Sequence, residues 1–344
     1  MDFVKDMKAK AASMKKRLVL PEGLEPRTIA AARRILDEGL ASEVTLLGAP
    51  SEVQKVAAEQ KVDLKGIVLL DPAEAPQLAA YTADYYETKH KHDESKKAAG
   101  KPVPHPYTPE SAKAELLDPM HFGGMMVHKG DADAMVAGAL APTAKMIKAG
   151  LNTVGTTSKT ASSCFVMVCQ DKSWGCDGAL IFSDCAVIPD PTAEQLPDIA
   201  ASAAQSCREF LGTEPVVALL SFSTKGSADS KFADVGKVQQ AVELLKARKP
   251  DFLFDGELQA DAALVPSVTQ KKAPGSPITG KVNTLVFPNL AAGNIGYKLV
   301  QRLGNAEAFG PFLQGFKKPI SDLSRGASVE DIVVTCAVTL ARCQ

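Results

Sequence analysis

Short, nearly continuous apolar runs, spaced by longer helical patterns, constrain this chain more than any other feature of its sequence. "GALIFSD", "PVVALLSFS", "DFLFDGEL" and "NTLVFPN" place apolar residues at consecutive positions instead of alternating them. A strand wet on one face alternates, whereas a strand covered on both faces does not, so these runs predict parallel strands buried under helices. Helix-length segments at 192–211, 232–248 and 291–303 accompany them. The chain opens in the same way. "RLVLPEG" reads as a strand and a turn, and "PRTIAAARRILDEG" as a helix with Pro in its first turn. Ile29, Ala32, Ile35 and Leu36 make the apolar stripe of that helix, and Gly39 stops it. "EVTLLG", "KGIVLLD" and "ADAMVAGA" are further runs of strand length. Alternation of this kind predicts an α/β architecture with right-handed crossovers.

With 344 residues the chain has room for two cores. The pattern divides into a first α/β domain of residues 1–150 plus 316–344 and a second of 151–315, with the last helix, 328–341, returning to the first. The Lys-, His- and Pro-rich region 88–118 reads as a long irregular excursion, and His90 and His92 within it as solvated side chains rather than metal ligands. No metal is expected.

Charge excludes some partners. The 39 basic and 40 acidic residues leave a net charge of −1, which gives no reason to expect nucleic acid or an anionic membrane surface. No uncharged apolar stretch reaches the length of a membrane span. The basic start, "MDFVKDMKAKAASMKKR", lacks the apolar centre of a signal peptide, and its Val4, Met7, Ala11 and Met14 are spaced for an amphipathic helix. The seven cysteines are odd in number, form no C-x-x-C pair and sit in apolar runs such as "SSCFVMVC". That usage predicts buried thiols and a cytoplasmic protein.

Chemistry is expected where strands give way to loops. "GTTSKTASS" at 155–163, "SFSTKGS" at 221–227 and "AAGNIGYK" at 291–298 could present backbone amides to an anion. None matches G-x-x-x-x-G-K-[ST], and no G-x-G-x-x-G occurs, so neither a P-loop nor a dinucleotide fingerprint is present. "SDLSRGASVEDI" at 321–332 admits two readings. Ser328 followed by Asp331 has the form of a capping box before "IVVTCAVTLA". Ser324-Arg325-Gly326 also sets a hydroxyl and a guanidinium beside free amides, which suits a phosphoryl oxygen.

The segment from "GKVNTLVFPNLAAGNIGYKLVQRLGN" through "ISDLSRGASVEDIV" closely resembles the C-terminal part of phosphate acetyltransferases, also called phosphotransacetylases. "RLVLPEGLEPRTIAAA" and "HFGGMMVHKGDADAMVAGA" extend the resemblance over nearly the whole chain. It implies two α/β domains with a cleft between them, of the isocitrate/isopropylmalate dehydrogenase type, usually as a homodimer. The implied reaction is reversible acyl transfer between an acyl phosphate and coenzyme A, with coenzyme A as a substrate and no bound cofactor. Ser324 and Arg325 correspond to the family's functional pair and Asp331 to its catalytic aspartate; substrate contacts fall on Lys148, Thr143, Lys89 and Asn294.

The chain departs from the family at several of these positions. The family's "STAD-x-x-R" segment reads "PTAKMIK" here, so Lys145 and Lys148 replace Asp and Arg. A second family arginine falls on Lys89 or Thr88, and Ala327 stands where Cys commonly follows "SRG". Lysine keeps the charge but loses the planar fork that suits phosphate.

The implied chemistry is a direct transfer: Asp331 deprotonates the thiol, the thiolate attacks the acyl carbonyl and phosphate leaves, with Arg325 neutralising the phosphate and Ser324 donating to charge near the carbonyl. An ordinary aspartate at about 3.9 against a thiol near 8.5 makes full proton transfer uphill by roughly 6 kcal/mol. The base then needs an unusual environment, or the thiolate needs nearby cations. A metal-dependent dehydrogenase would need acidic ligand spacing that Asp184, Asp255 and Asp261 do not show. A binding protein without turnover, and a transferase of propanoyl or butanoyl groups, remain open alternatives.

Overall fold

The computed structural model describes residues 2–343 apart from Lys159. The chain packs as two compact units, one made of Lys8–Gly155 and the residues from Lys317 onward, the other of the residues up to Met7 with Thr156–Phe316. The first begins with the remainder of helix α1 (Phe3–Met14) and continues β1 (Arg17–Leu20), α2 (Pro26–Asp37), β2 (Glu43–Leu47), α3 (Pro50–Glu59) and β3 (Val68–Leu70). Helices α4 (Leu78–Ala98), α5 (Pro109–Leu116) and α6 (Pro119–Lys129) precede β4 (Ala134–Ala137) and α7 (Thr143–Thr153). The other unit holds β5 (Ser162–Val168), β6 (Ala179–Ser183), α8 (Gln195–Leu211), β7 (Val216–Leu220), α9 (Ala233–Arg248) and β8 (Leu253–Leu258). It continues with α10 (Ala260–Leu264), α11 (Pro266–Lys272), β9 (Thr284–Val286), α12 (Leu290–Leu303) and β10 (Glu307–Gln314), after which β11 (Ile320–Asp322) and α13 (Val329–Leu340) complete the first unit.

The first unit is built on a sheet of order β11-β4-β1-β2-β3 in which every pair is parallel. Its central strands are fully buried, as covered parallel strands require: all four residues of β4, and Leu18, Val19 and Leu20 of β1. Pro26 opens α2, and the buried Ile29, Ala32 and Ile35 form its inner stripe. Helix α13 buries Ile332, Val333, Cys336 and Leu340 and packs against α2, β4 and β1.

The region read as irregular is helical to Ala98, because α4 runs for 21 residues. Its outer half is carried by helix-forming Lys, Glu and Ala, with Glu87–Lys91 and Glu94–Lys97 pairs one turn apart. Residues 99–108 interrupt it, and Thr108 then caps α5 in a box with Ser111.

The other unit carries a sheet of order β10-β5-β6-β9-β7-β8. The four strands taken from continuous apolar runs are mutually parallel: β6 with β9, β9 with β7, and β7 with β8. Two further strands extend them through antiparallel pairings, β5 on β6 and β10 on β5. The cysteine-bearing "SSCFVMV" is the fully buried strand β5, and β10 pairs with it across a register shift between Phe309 and Phe312. Phe165, Phe182, Leu220, Leu258 and Leu285 contribute to the core. Two of the three suggested loops differ from expectation. Residues 291–298 lie inside α12, whose Asn289 cap accepts the amide of Ala292 at 3.0 Å, and the described residues of 156–161 precede a strand instead of following one. None of the seven cysteines is in a disulfide. Among the described residues no helix is long and apolar enough to cross a membrane.

Candidate active site

β11 pairs in register with the end of β4, Asp322 opposite Ala137, and the chain then leaves the sheet as Leu323–Ala327 before α13. This short exit carries Ser324 and Arg325, both exposed. Ser324 Oγ accepts the amide of Gly326 at 3.2 Å, and the guanidinium of Arg325 makes no ion pair among the described residues. Ala327 is buried at the family's cysteine position.

Ser328 and Asp331 form the capping box. The Asp331 amide donates to Ser328 Oγ at 3.2 Å, while the Ser328 amide and hydroxyl both donate to Asp331 Oδ2 at 2.8 Å. Both bonds fall on one carboxylate oxygen. Oδ1 accepts none among the described residues, so the residue caps its helix and still presents an unengaged oxygen. Glu330, beside it, is tied down instead, by Lys8 at 3.2 Å and Arg34 at 2.7 Å.

Three residues that sequence reasoning did not single out shape this exit. Arg27, in the first turn of α2, donates through Nη1 to the carbonyls of Arg325 (2.9 Å) and Ala327 (2.7 Å), and through Nη2 to that of Ala139 (3.1 Å). Its Nε bonds Glu25 at 2.6 Å. A signal for it existed, since a cation in the first turn opposes the helix dipole and calls for another reason to be there. Glu22, in the turn after β1, accepts the four consecutive amides of Gly138–Ala141 at 2.7–3.0 Å. Asp322 accepts the hydroxyl of Thr143, the first residue of α7. Gly138 has φ +113°, and a Cβ there would meet Asp322 Oδ1 at 2.4 Å, so only glycine fits against that carboxyl.

The predicted cationic positions also gather. Lys89 Nζ donates to Asn152 Oδ1 at 2.6 Å, one turn beyond Lys148 on α7, and lies 5.1 Å and 5.5 Å from the ring centres of Tyr85 and Tyr107. Burial lowers the Lys89 ammonium below the ordinary lysine value; Glu115 opposes this and the charge of Lys148 adds to it. Thr88, the other register, is exposed, while Lys89 is partly buried toward α7. Lys145 pairs with Asp118. Burial alone would raise that carboxyl, yet its bonds with His121 and Lys145 hold it well below the usual carboxylate range. Asn294 lies in the other unit, on α12, where its carboxamide donates to Cys185 O at 3.1 Å.

Two α/β sheets of this kind define a dehydrogenase-like fold class, and 4-hydroxythreonine-4-phosphate dehydrogenase from Klebsiella pneumoniae shares the fold at TM-score 0.52 and 12% identity, over 95% of this chain and 100% of its own. Closer likenesses are more specific. The phosphate acetyltransferase of Treponema pallidum (strain Nichols) is 53% identical over 343 residues, which are 99% of this chain and 98% of that protein. A phosphotransacetylase from Streptococcus pyogenes superposes with TM-score 0.87 at 37% identity, over 99% of this chain and 97% of its own. The description "Phosphate acetyl/butaryl transferase" matches residues 2–340. The chain belongs to the phosphate acetyl/butaryl transferase family.

Proposed function

We propose that this protein is a phosphate acetyltransferase that moves an acetyl group reversibly between acetyl phosphate and coenzyme A. The observation that carries the mechanism is the division of labour at Asp331, with Oδ2 on the helix cap and Oδ1 unengaged beside the exposed Ser324-Arg325 exit. Asp331 Oδ1 takes the thiol proton, the sulfur forms a bond to the acetyl carbon, and the carbon–oxygen bond to phosphate breaks. Phosphate leaves with the electron pair and recovers the proton from Asp331. Arg325 neutralises the phosphoryl oxygens, and the Ser324 hydroxyl donates to charge developing on the carbonyl. The thiols of this unit do not suit an acyl-enzyme intermediate: burial raises Cys336 and pushes Cys343 up to about 11, and Ala327 carries none.

Lys148, Lys89, Thr143 and Asn294 are the substrate contacts in this reading. Incubation with coenzyme A and acetyl, propanoyl or butanoyl phosphate, followed by thioester absorbance, tests the assignment. Acetyl phosphate should turn over fastest. Turnover of none of the three would overturn it, and a preference for a longer chain would redirect it within the family. Restoring the fork with Lys148→Arg should lower KM for coenzyme A about threefold to tenfold with little change in kcat, which steady-state kinetics at saturating acyl phosphate will read.

A homodimer in the cytoplasm completes the proposal. Helix α12 buries only Gly293 and exposes Ile295, Leu299 and Leu303 at 59%, 51% and 82%, a stripe that a second copy would cover. Sedimentation velocity should show the wild type as a dimer and Leu299→Lys shifted toward monomer. An odd number of cysteines with no C-x-x-C pair supports a reducing compartment.

A further inference from the structure

Several carboxylates in the first unit are well supplied with partners, and the buried Asp322 is not. Glu22 accepts four amides, and Asp133 is held by the amide and guanidinium of Arg17. Asp322 is 3% exposed, yet its Oδ1 has no hydrogen-bond partner and its Oδ2 accepts a single hydroxyl, that of Thr143. The amide that follows it, Leu323 N, is committed to Ala137 O at 2.8 Å. Gly138 closes over Oδ1 with no room for a side chain. The charged groups around it offer no neutralisation. Glu22 faces it from the β1–α2 turn with a like charge, and Lys145 of α7 is paired with Asp118. Among the described residues no cation pairs with Asp322.

A hydroxyl has one hydrogen to give. While Asp322 is ionised, Thr143 must spend that hydrogen inward on Oδ2, and it then presents lone pairs outward from the start of α7. Once Asp322 is protonated, the carboxyl can donate to Thr143 Oγ1 and the threonine hydrogen is released outward. We propose that Asp322 is a positioning residue whose proton sets the direction of the Thr143 hydroxyl, outward to a phosphoryl oxygen when Asp322 is neutral and inward when it is ionised. The inference rests on the reading of Thr143 as a contact for acyl phosphate. Burial and the charge of Glu22 push the Asp322 carboxyl up to about 6, against the opposing bond from Thr143, so the exchange falls at mildly acidic pH.

The test compares KM for acetyl phosphate between pH 5 and 8, at saturating coenzyme A, in the wild type, Asp322→Asn and Thr143→Val. Ionisation of acetyl phosphate itself is common to all three and cancels in ratios of variant to wild type. The wild-type KM should rise about tenfold relative to Asp322→Asn as pH increases through about 6, the worth of one charge-assisted hydrogen bond, with kcat following no such curve. Thr143→Val should lose the same inflection. Parallel profiles in wild type and Asp322→Asn, or an inflection that survives Thr143→Val, would overturn the proposal.

A second measurement is independent of turnover. The carbon-13 titration of the Asp322 carboxyl should move to higher pH on adding inorganic phosphate, because binding and protonation favour each other by the same factor. An unmoved midpoint in the presence of bound phosphate would reject the coupling even in an inactive protein. A moved midpoint without any turnover would retain the coupling and reject the transferase reading instead.

Discussion

Asp331→Asn should lower kcat by about 10²–10⁴ while leaving the fold almost as stable as the wild type. The asparagine carbonyl can take the place of Oδ2 and still accept the Ser328 amide and hydroxyl, so the cap survives. What it lacks is a basic oxygen in place of Oδ1. The reciprocal variant separates the two roles. Ser328→Ala removes the acceptor for the Asp331 amide and should cost about 1 kcal/mol of stability, with kcat reduced far less than in Asp331→Asn. Turnover by thioester absorbance and urea unfolding of the two variants give the comparison. Should Asp331→Asn lose stability and keep its kcat, the aspartate is a cap alone.

Arg27→Ala should reduce kcat/KM about a hundredfold or more, although Arg27 has no assigned contact with substrate. Its guanidinium bonds the carbonyls on both sides of Gly326, at Arg325 and Ala327, and also reaches Ala139 in the turn before α7. Alanine leaves three carbonyls without that donor, and the Ser324-Arg325 exit loses its link to the Gly138–Ala141 turn. Hydrogen bonds to a charged group are worth about 1.5–3 kcal/mol each, so a net stability loss of about 2–4 kcal/mol is expected after water reaches the exposed ones. Lysine can satisfy one or two of these carbonyls but not the spread that a fork covers, and Arg27→Lys should recover part of the activity. Equal kcat/KM in Arg27→Ala and wild type, with only the melting temperature lowered, would mean that the exit holds its shape without the arginine.

How much of this was visible in the sequence depended on how local each cause was. The covered parallel strands announced themselves because burial on both faces writes a continuous apolar run, as in "GALIFSD" and "NTLVFPN". The Ser328–Asp331 cap was legible because its partners are three residues apart. "SSCFVMV" had the same run as its neighbours, but strand direction is a property of the pairing, and nothing within the segment distinguishes antiparallel β5 from its parallel neighbours. The charged half of α4 carries no helical signal in its apolar pattern because it buries few residues, and its helix rests on propensity and ion pairs instead of a stripe. Arg27, Glu22 and Asp322 act over separations of 112 to 300 residues, through Ala139, Gly138–Ala141, Thr143 and the carbonyls beside Gly326. No window read along the chain joins those residues. The lysines at 145 and 148 stand out as departures in the sequence, but only the ion pair with Asp118 shows that Lys145 has found a local use.

The order of the segments has a consequence for synthesis. The unit of Thr156–Phe316 is nearly continuous in the chain, whereas the unit bearing Ser324 and Asp331 lacks β11 and α13 until residues 320–340 are made. On the ribosome the continuous unit can finish folding while the other waits with β4 as a bare sheet edge, since β11 is the strand that covers it. A chain that stopped before Ile320 would therefore be more than an inactive enzyme. It would carry an exposed strand, and the cell would meet that product as a substrate for chaperones and proteases.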